Sequence, residues 1–124
     1  MAGLSMGSMQ TSIVTMKHPD MFGYAGVFSG FVGPFNKTNA ENSYIQLLDD
    51  REKFTQSFRV FFRAGGDEDL VALERFEADR ALFEEKGLAP AENSIHVEKM
   101  YPGEHEWNVW RMCLRDFAQY LFHE

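Results

Sequence analysis

The sequence predicts an α/β fold with a mostly parallel sheet and flanking helices. Short apolar runs rich in β-branched and aromatic residues alternate with longer segments of helical periodicity. Apolar residues make up 44% of the chain and include 12 Phe, enough to build a packed core. A length of 124 residues suits one domain. Twelve basic against 19 acidic residues leave a formal charge of −7, which argues against a nucleic-acid partner or a polybasic membrane patch. No run approaches the roughly 18 apolar residues of a membrane span. The N-terminus shows no charged segment followed by an apolar one, the mark of a secretory signal. The single cysteine, Cys113, rules out a disulfide within these residues and a cysteine-based zinc site.

The elements come in this order. Residues 1–4 are too short for a strand, although the residues after them look like the turn that ends one. Met9 to His18 reads as a helix stopped by Pro19, with the Met-rich start as its packing face. Tyr24 to Ser29 is a short buried strand, and Phe31 to Ala40, with Gly33, Pro34, Asn36 and Asn39, is a loop. Asn42 to Phe54 is helical. Phe58 to Arg63 is the clearest strand, ended by Gly65 and Gly66. Leu70 to Lys86 is a helix with Leu73, Phe76 and Phe83 on one stripe, and Gly87 stands where a left-handed residue closes a helix. Ile95 to Tyr101 is a further strand. Trp107 to Phe122 is the last helix, and its apolar face is predicted along Trp107, Trp110, Leu114, Phe117 and Leu121.

Three segments carry candidate chemistry. Gly3-Leu4-Ser5-Met6-Gly7 matches G-x-S-x-G, a sharp strand-to-helix turn that exposes a serine hydroxyl. Small residues two positions either side let strand and helix approach, and the Met6 amide at the helix start points toward the same space as an oxyanion donor. The same residues also suit a plain helix cap by Ser5 or Ser8. Gly65-Gly66-Asp67-Glu68-Asp69 comes after the Phe58 to Arg63 strand, where an acid can orient a histidine or simply cap the next helix. Pro102-Gly103-Glu104-His105-Glu106-Trp107 occupies the equivalent place after the last strand.

The chain order Ser5, Asp69, His105 is that of the α/β-hydrolase triad. The spacings, 69 − 5 = 64 and 105 − 69 = 36, each leave room for strand and helix units. His18, His96 and His123 have no clustered partners and read as surface or structural. No metal-ligand spacing appears, so neither a metal nor a cofactor is expected. Cys113 reads as a small buried apolar residue. Asn36-Lys37-Thr38 is a formal glycosylation sequon.

Gly3-Leu4-Ser5-Met6-Gly7-Ser8-Met9-Gln10, His18 to Gly30, and Pro102 to Trp107 with Trp110-Arg111 resemble the esterase D-like esterases, a group that includes feruloyl, acetylxylan and enterochelin esterases. The resemblance covers essentially the whole chain. It implies Ser5 as nucleophile, Met6 as one oxyanion amide and His105 as base. It implies an acid in Gly66-Asp67-Glu68-Asp69-Leu70, with Asp69 favoured and Asp67 the competitor. Ser8 and Glu104 stand where the family usually has glycine; Ser8 should be tolerated on the first helical turn, and Glu104 adds a negative charge beside the histidine.

Members of the group also carry strands and helices ahead of the elbow. Residues 1–124 are therefore expected to be the C-terminal part of a single α/β-hydrolase domain that starts at the nucleophile elbow, with the missing N-terminal half as its partner. The function implied is a serine carboxylic-ester hydrolase acting on small-molecule or polysaccharide esters of the feruloyl or acetyl xylan type. Its rivals are a truncated or split, catalytically incompetent fragment, a siderophore-ester esterase of the enterochelin type, and a non-enzymatic binding module. Phe31 and Phe35 of the 31–40 loop are expected to line an acyl pocket. Secretion is allowed by family analogy alone.

Overall fold

The computed structural model describes residues 1–33, 40–91 and 94–121, and of 40–43 the backbone alone. Among the described residues the sheet has four parallel strands in the order β1 (Ala2–Leu4), β2 (Tyr24–Phe28), β3 (Val60–Gly66) and β4 (His96–Tyr101). The helices are α1 (Met6–Lys17), α2 (Arg51–Ser57), α3 (Leu73–Glu85) and α4 (Trp107–Ala118), with a 3-10 helix over Ala40–Asp49. Each crossover contains helix, as parallel neighbours require. All the strand-to-helix turns therefore gather at one rim. Among the described residues no helix is long and apolar enough to cross a membrane.

Strand alternation divides the core into two layers. Ala25, Val27 and Phe61 face one side, where they pack with Phe54, Phe58, Phe83, Leu47 and Leu48. Phe28, Phe62 and Ala64 face the other, with Tyr101, Val109, Cys113 and Phe117. Both faces are largely apolar, so β2 and β3 read as nearly continuous hydrophobic runs, whereas β4 carries Glu98 and Lys99. The first layer also holds charge. Arg63 and Glu98 sit opposite each other on β3 and β4 and form a buried ion pair at 3.3 Å. Arg63 also donates to the Phe76 carbonyl at 2.6 Å, and Arg80 pairs with the same Glu98.

Several elements differ from expectation. The first residues do form a strand: β1 lies in register with β2, Ala2 beside Gly26 and Leu4 beside Phe28, and its ladder bonds suffice for three residues. The segment expected as one helix over 42–54 is broken at Asp50. That residue leaves helical geometry (φ −110°, ψ 80°) and caps α2 by accepting from the Lys53 amide at 3.0 Å.

The Met-rich start is not the packing face of α1. Met6 is 68% exposed, and the helix buries Ser8, Thr11, Ser12, Thr15 and Met16 instead. Thr11, Ser12 and Thr15 donate to the carbonyls four residues back, so these hydroxyls enter the core satisfied and keep the helix narrow.

The face of α4 is rotated from the one predicted. Phe117 is buried as predicted, and Trp110 and Leu121 pack on the same cluster, but Val109 and Cys113 join Phe117 in the core, whereas Trp107 is 69% and Leu114 56% exposed. Two glycines make room for the buried face: a Cβ on Gly103 would meet Val109, and one on Gly26 would lie 3.0 Å from the Phe117 ring. Cys113 is fully buried, as the sequence suggests.

Candidate active site

The chain turns from β1 into α1 at Ser5, whose φ of 54° and ψ of −122° put a non-glycine residue in a strained conformation. The turn is pinned by the Ser5 amide, which donates to Phe28 O at 2.8 Å. Gly3 bears the crowding, since any Cβ there would collide with the Gly7 carbonyl and lie 2.8 Å from Thr11 Oγ1. Gly7 itself has open space around the position of a Cβ, so the close approach expected on both sides of the serine falls on Gly3 and not on Gly7. Ser8 is fully buried and its hydroxyl donates to the Ser5 carbonyl. Gly30 must be glycine opposite it, because a Cβ there would overlap the Ser8 side chain.

Asp69 ends the turn after β3 and is 1% exposed. One carboxylate oxygen, Oδ1, accepts from the Val71 and Ala72 amides, both at 3.0 Å. These N–H groups lie at the entrance to α3, whose dipole also favours the anion. The other oxygen, Oδ2, lies 2.8 Å from His105 Nδ1. On the far side of the imidazole, Nε2 lies 2.9 Å from Ser5 Oγ. With Nδ1–H donating to the carboxylate, Nε2 keeps a lone pair for the serine hydroxyl. The His105 ring meets the edge of Trp110 at 5.2 Å and 87°, and Trp110 in turn packs on Trp107 at 5.3 Å.

Asp67 does something else. Its Oδ1 accepts from the Gly103 amide at 3.1 Å, and the Glu68 amide donates to the Gly103 carbonyl at 2.9 Å. The turn after β3 is thus laced to the histidine turn after β4. Gly103 has φ 141°, open to glycine, and a Cβ on Gly66 would press on the Gly103 and Glu104 carbonyls. Glu104 itself is exposed.

Of the residues singled out in the sequence, Ser5, His105 and Asp69 are brought into one hydrogen-bonded row across 100 residues of chain. Met6 is the first residue of α1, so its amide is one of the N-terminal donors left without an intrahelical partner. Phe31 lies under the Arg75 guanidinium at 3.8 Å. Phe35, the Asn36 sequon and His123 fall outside the described residues. His18 is exposed and His96 is buried away from the row. Among the described residues, no group of three or more His, Cys, Asp or Glu is arranged to hold a metal.

Sequence reasoning missed the buried Asp79 on α3 and its partner Tyr44, which hold the backbone just after β2. The only available signal was an aspartate at the helical spacing of Phe76 and Phe83, on a stripe expected to be apolar.

Known proteins share this architecture. A ferulic acid esterase structure superposes with a TM-score of 0.70 at 21% identity, over 97% of this chain and 50% of that one. A serine-to-alanine mutant of the feruloyl esterase module from Clostridium thermocellum, complexed with sinapinate, gives 0.68 at 24% identity over 99% and 45%. An endo-1,4-beta-xylanase/feruloyl esterase of Xylanibacter ruminicola is 32% identical across 98% of this chain, which spans 14% of that protein. The chain therefore spans half or less of the length of each of these three proteins. Residues 1–120 match the model of the family described as "Putative esterase". With its parallel sheet and flanking helices forming part of an α/β-hydrolase fold, this chain belongs to that esterase family.

Proposed function

We propose that this chain carries the reacting groups of a serine carboxylic-ester hydrolase acting on acyl esters of carbohydrates, feruloyl or acetyl xylan in type. The observation that carries the proposal is the unbroken row Ser5 Oγ, His105 Nε2, His105 Nδ1 and Asp69 Oδ2, with contacts of 2.9 and 2.8 Å. Its carbohydrate-ester side is supported by relatives named as feruloyl esterases, one of them joined to a xylanase.

In this mechanism His105 Nε2 takes the Ser5 proton as Oγ attacks the ester carbonyl carbon. The negative charge that develops on the carbonyl oxygen meets the Met6 amide at the start of α1. Collapse breaks the bond to the sugar oxygen, which receives the proton from Nε2 and leaves an acyl-serine. Water then gives a proton to Nε2 and attacks the acyl carbon. The second collapse returns the proton to Ser5 Oγ and releases the acid. Asp69 holds the Nδ1–H and stabilises the imidazolium.

The partial coverage of the relatives favours a second reading, in which residues 1–124 are the C-terminal part of one hydrolase domain and turn over ester only with its remainder. A fluorophosphonate probe separates the cases. Covalent labelling of Ser5, lost in a folded Ser5→Ala chain, is the expected result. No labelling of the folded chain, alone or with the N-terminal segment of a relative, overturns the role of Ser5. Turnover of feruloyl and acetyl xylo-oligosaccharides, with and without that segment, then decides the substrate class and whether this chain acts alone.

A further inference from the structure

The backbone leaves β2 through Ser29, in the left-handed region at φ 51°, and Gly30, which lies against Ser8 and the Ser5 carbonyl. Gly30 thus packs against the serine turn, at the rim where β1 and β2 both end. Two distant side chains then hold the backbone that follows. Asp79, 4% exposed, accepts from the Val32 amide at 2.6 Å and the Gly33 amide at 2.9 Å. Tyr44 donates its hydroxyl to the Val32 carbonyl at 2.7 Å, with the Gly33 carbonyl at 3.1 Å. Gly33 has no room for a side chain, because a Cβ would lie 2.9 Å from Asp79 Oδ1. The N–H and C=O of two successive residues, Val32 and Gly33, are therefore held by side chains remote in sequence.

A buried carboxylate is a costly way to close a loop, since apolar packing would stabilise the core without the desolvation penalty. What a carboxylate adds is place: two charge-assisted bonds fix two amides at once. Phe31, next to the held pair, carries the Arg75 guanidinium over its ring. We propose that Asp79 is the positioning residue that fixes Phe31–Gly33, the continuation of the chain from Gly30 where it touches Ser8 and the Ser5 carbonyl, and that through this segment it sets the size of acyl group the serine accepts. This rests on Ser5 being the nucleophile.

The charges facing Asp79 are Arg63 and Arg75. Burial raises the Asp79 pKa, while Arg63, the two amides and Arg75 work against the rise. Burial, then Asp79, pushes the Tyr44 phenol up to about 12, so it remains a donor.

The test compares labelling rates of Ser5 by two fluorophosphonates, one with a small alkyl group and one with a bulky aromatic group. The proteins are the chain as given, Asp79→Asn and Tyr44→Phe. Asparagine keeps the size but offers one acceptor oxygen, so one amide loses its partner. The aromatic-to-alkyl rate ratio is expected to shift about tenfold in Asp79→Asn, the equivalent of one lost charged hydrogen bond. It should shift in the same direction, by less, in Tyr44→Phe. Alkyl labelling should stay within about twofold, as expected when the chemistry at Ser5 is untouched. Hydrogen exchange at Val32 and Gly33 should quicken while β3 stays protected.

An unchanged ratio in folded variants whose Val32 and Gly33 amides exchange faster overturns the proposal. So does equal slowing of both probes alongside a lowered Tm, the mark of a purely structural role. If Asp79→Asn does not fold, Tyr44→Phe decides the matter. Failure of both probes to label the starting chain sinks the nucleophile reading, and this one with it.

Discussion

Two histidines frame β4 and have little else in common. His96 opens the strand inside the core. Its Nδ1 lies 2.8 Å from the Leu88 carbonyl, its ring packs on Phe83 at 4.3 Å, and Arg63 Nη1 stands 3.5 Å from Nε2. Burial first, and then Arg63, lower its pKa to about 3, so it is a neutral packing residue. His105 lies in the turn beyond the same strand, at the rim, with a carboxylate on one nitrogen and a serine hydroxyl on the other. The partner on each nitrogen decides the role. A carbonyl and an arginine make an imidazole a spacer, whereas a carboxylate and a hydroxyl equip it to move a proton.

The strongest way to break this contrast is to take the carboxylate from the rim. Asp69→Asn should cost on the order of 10^4 in kcat, because an amide no longer fixes the tautomer that leaves Nε2 free. Hydrolysis or labelling rates at matched folding check this. A larger loss from a change at Asp67 would reverse the assignment of the acid.

The buried end of β4 is sharpened by titration. The unfolded chain takes up a proton near 6.5 that folded His96 refuses down to about 3, so stability falls as pH drops through that window. Between pH 6.5 and 5 the loss from this group should be about 2 kcal/mol. Urea unfolding at the two pH values measures it, and His96→Gln should remove that slope. An unchanged slope would mean that His96 is protonated inside the fold.

The smallest effect tests the brace between the two rim turns. Asp67→Ala gives up the bond from the Gly103 amide, which should lower stability by about 1 kcal/mol and slow labelling less than tenfold.

Much of the site is legible in the sequence. The G-x-S-x-G turn, an acid after the Phe-rich strand and a histidine after the next strand each occupy an address that a parallel sheet brings to one rim. Local sequence does not separate Asp67 from Asp69. The two are two residues apart, and only the path of the turn sends one toward Gly103 and the other toward His105. The faces of α1 and α4 escape periodicity for a related reason. Periodicity counts apolar residues, but α1 buries hydroxyls satisfied by their own helix, and in α4 Val109 and Cys113 share the buried face with Phe117 while Trp107 and Leu114 stay outside.

The order of residues is enough to set the alternation of strands and helices, the two-sided apolar sheet and the residue types that meet at the rim, because these depend on local preference and period. It took the packed molecule to establish that three residues suffice for β1, which histidine is buried, which aspartate reaches the imidazole, and that Asp79 and Tyr44 hold the chain after β2. Those outcomes depend on contacts between segments tens of residues apart, where distance and desolvation, not neighbouring residues, set the energy.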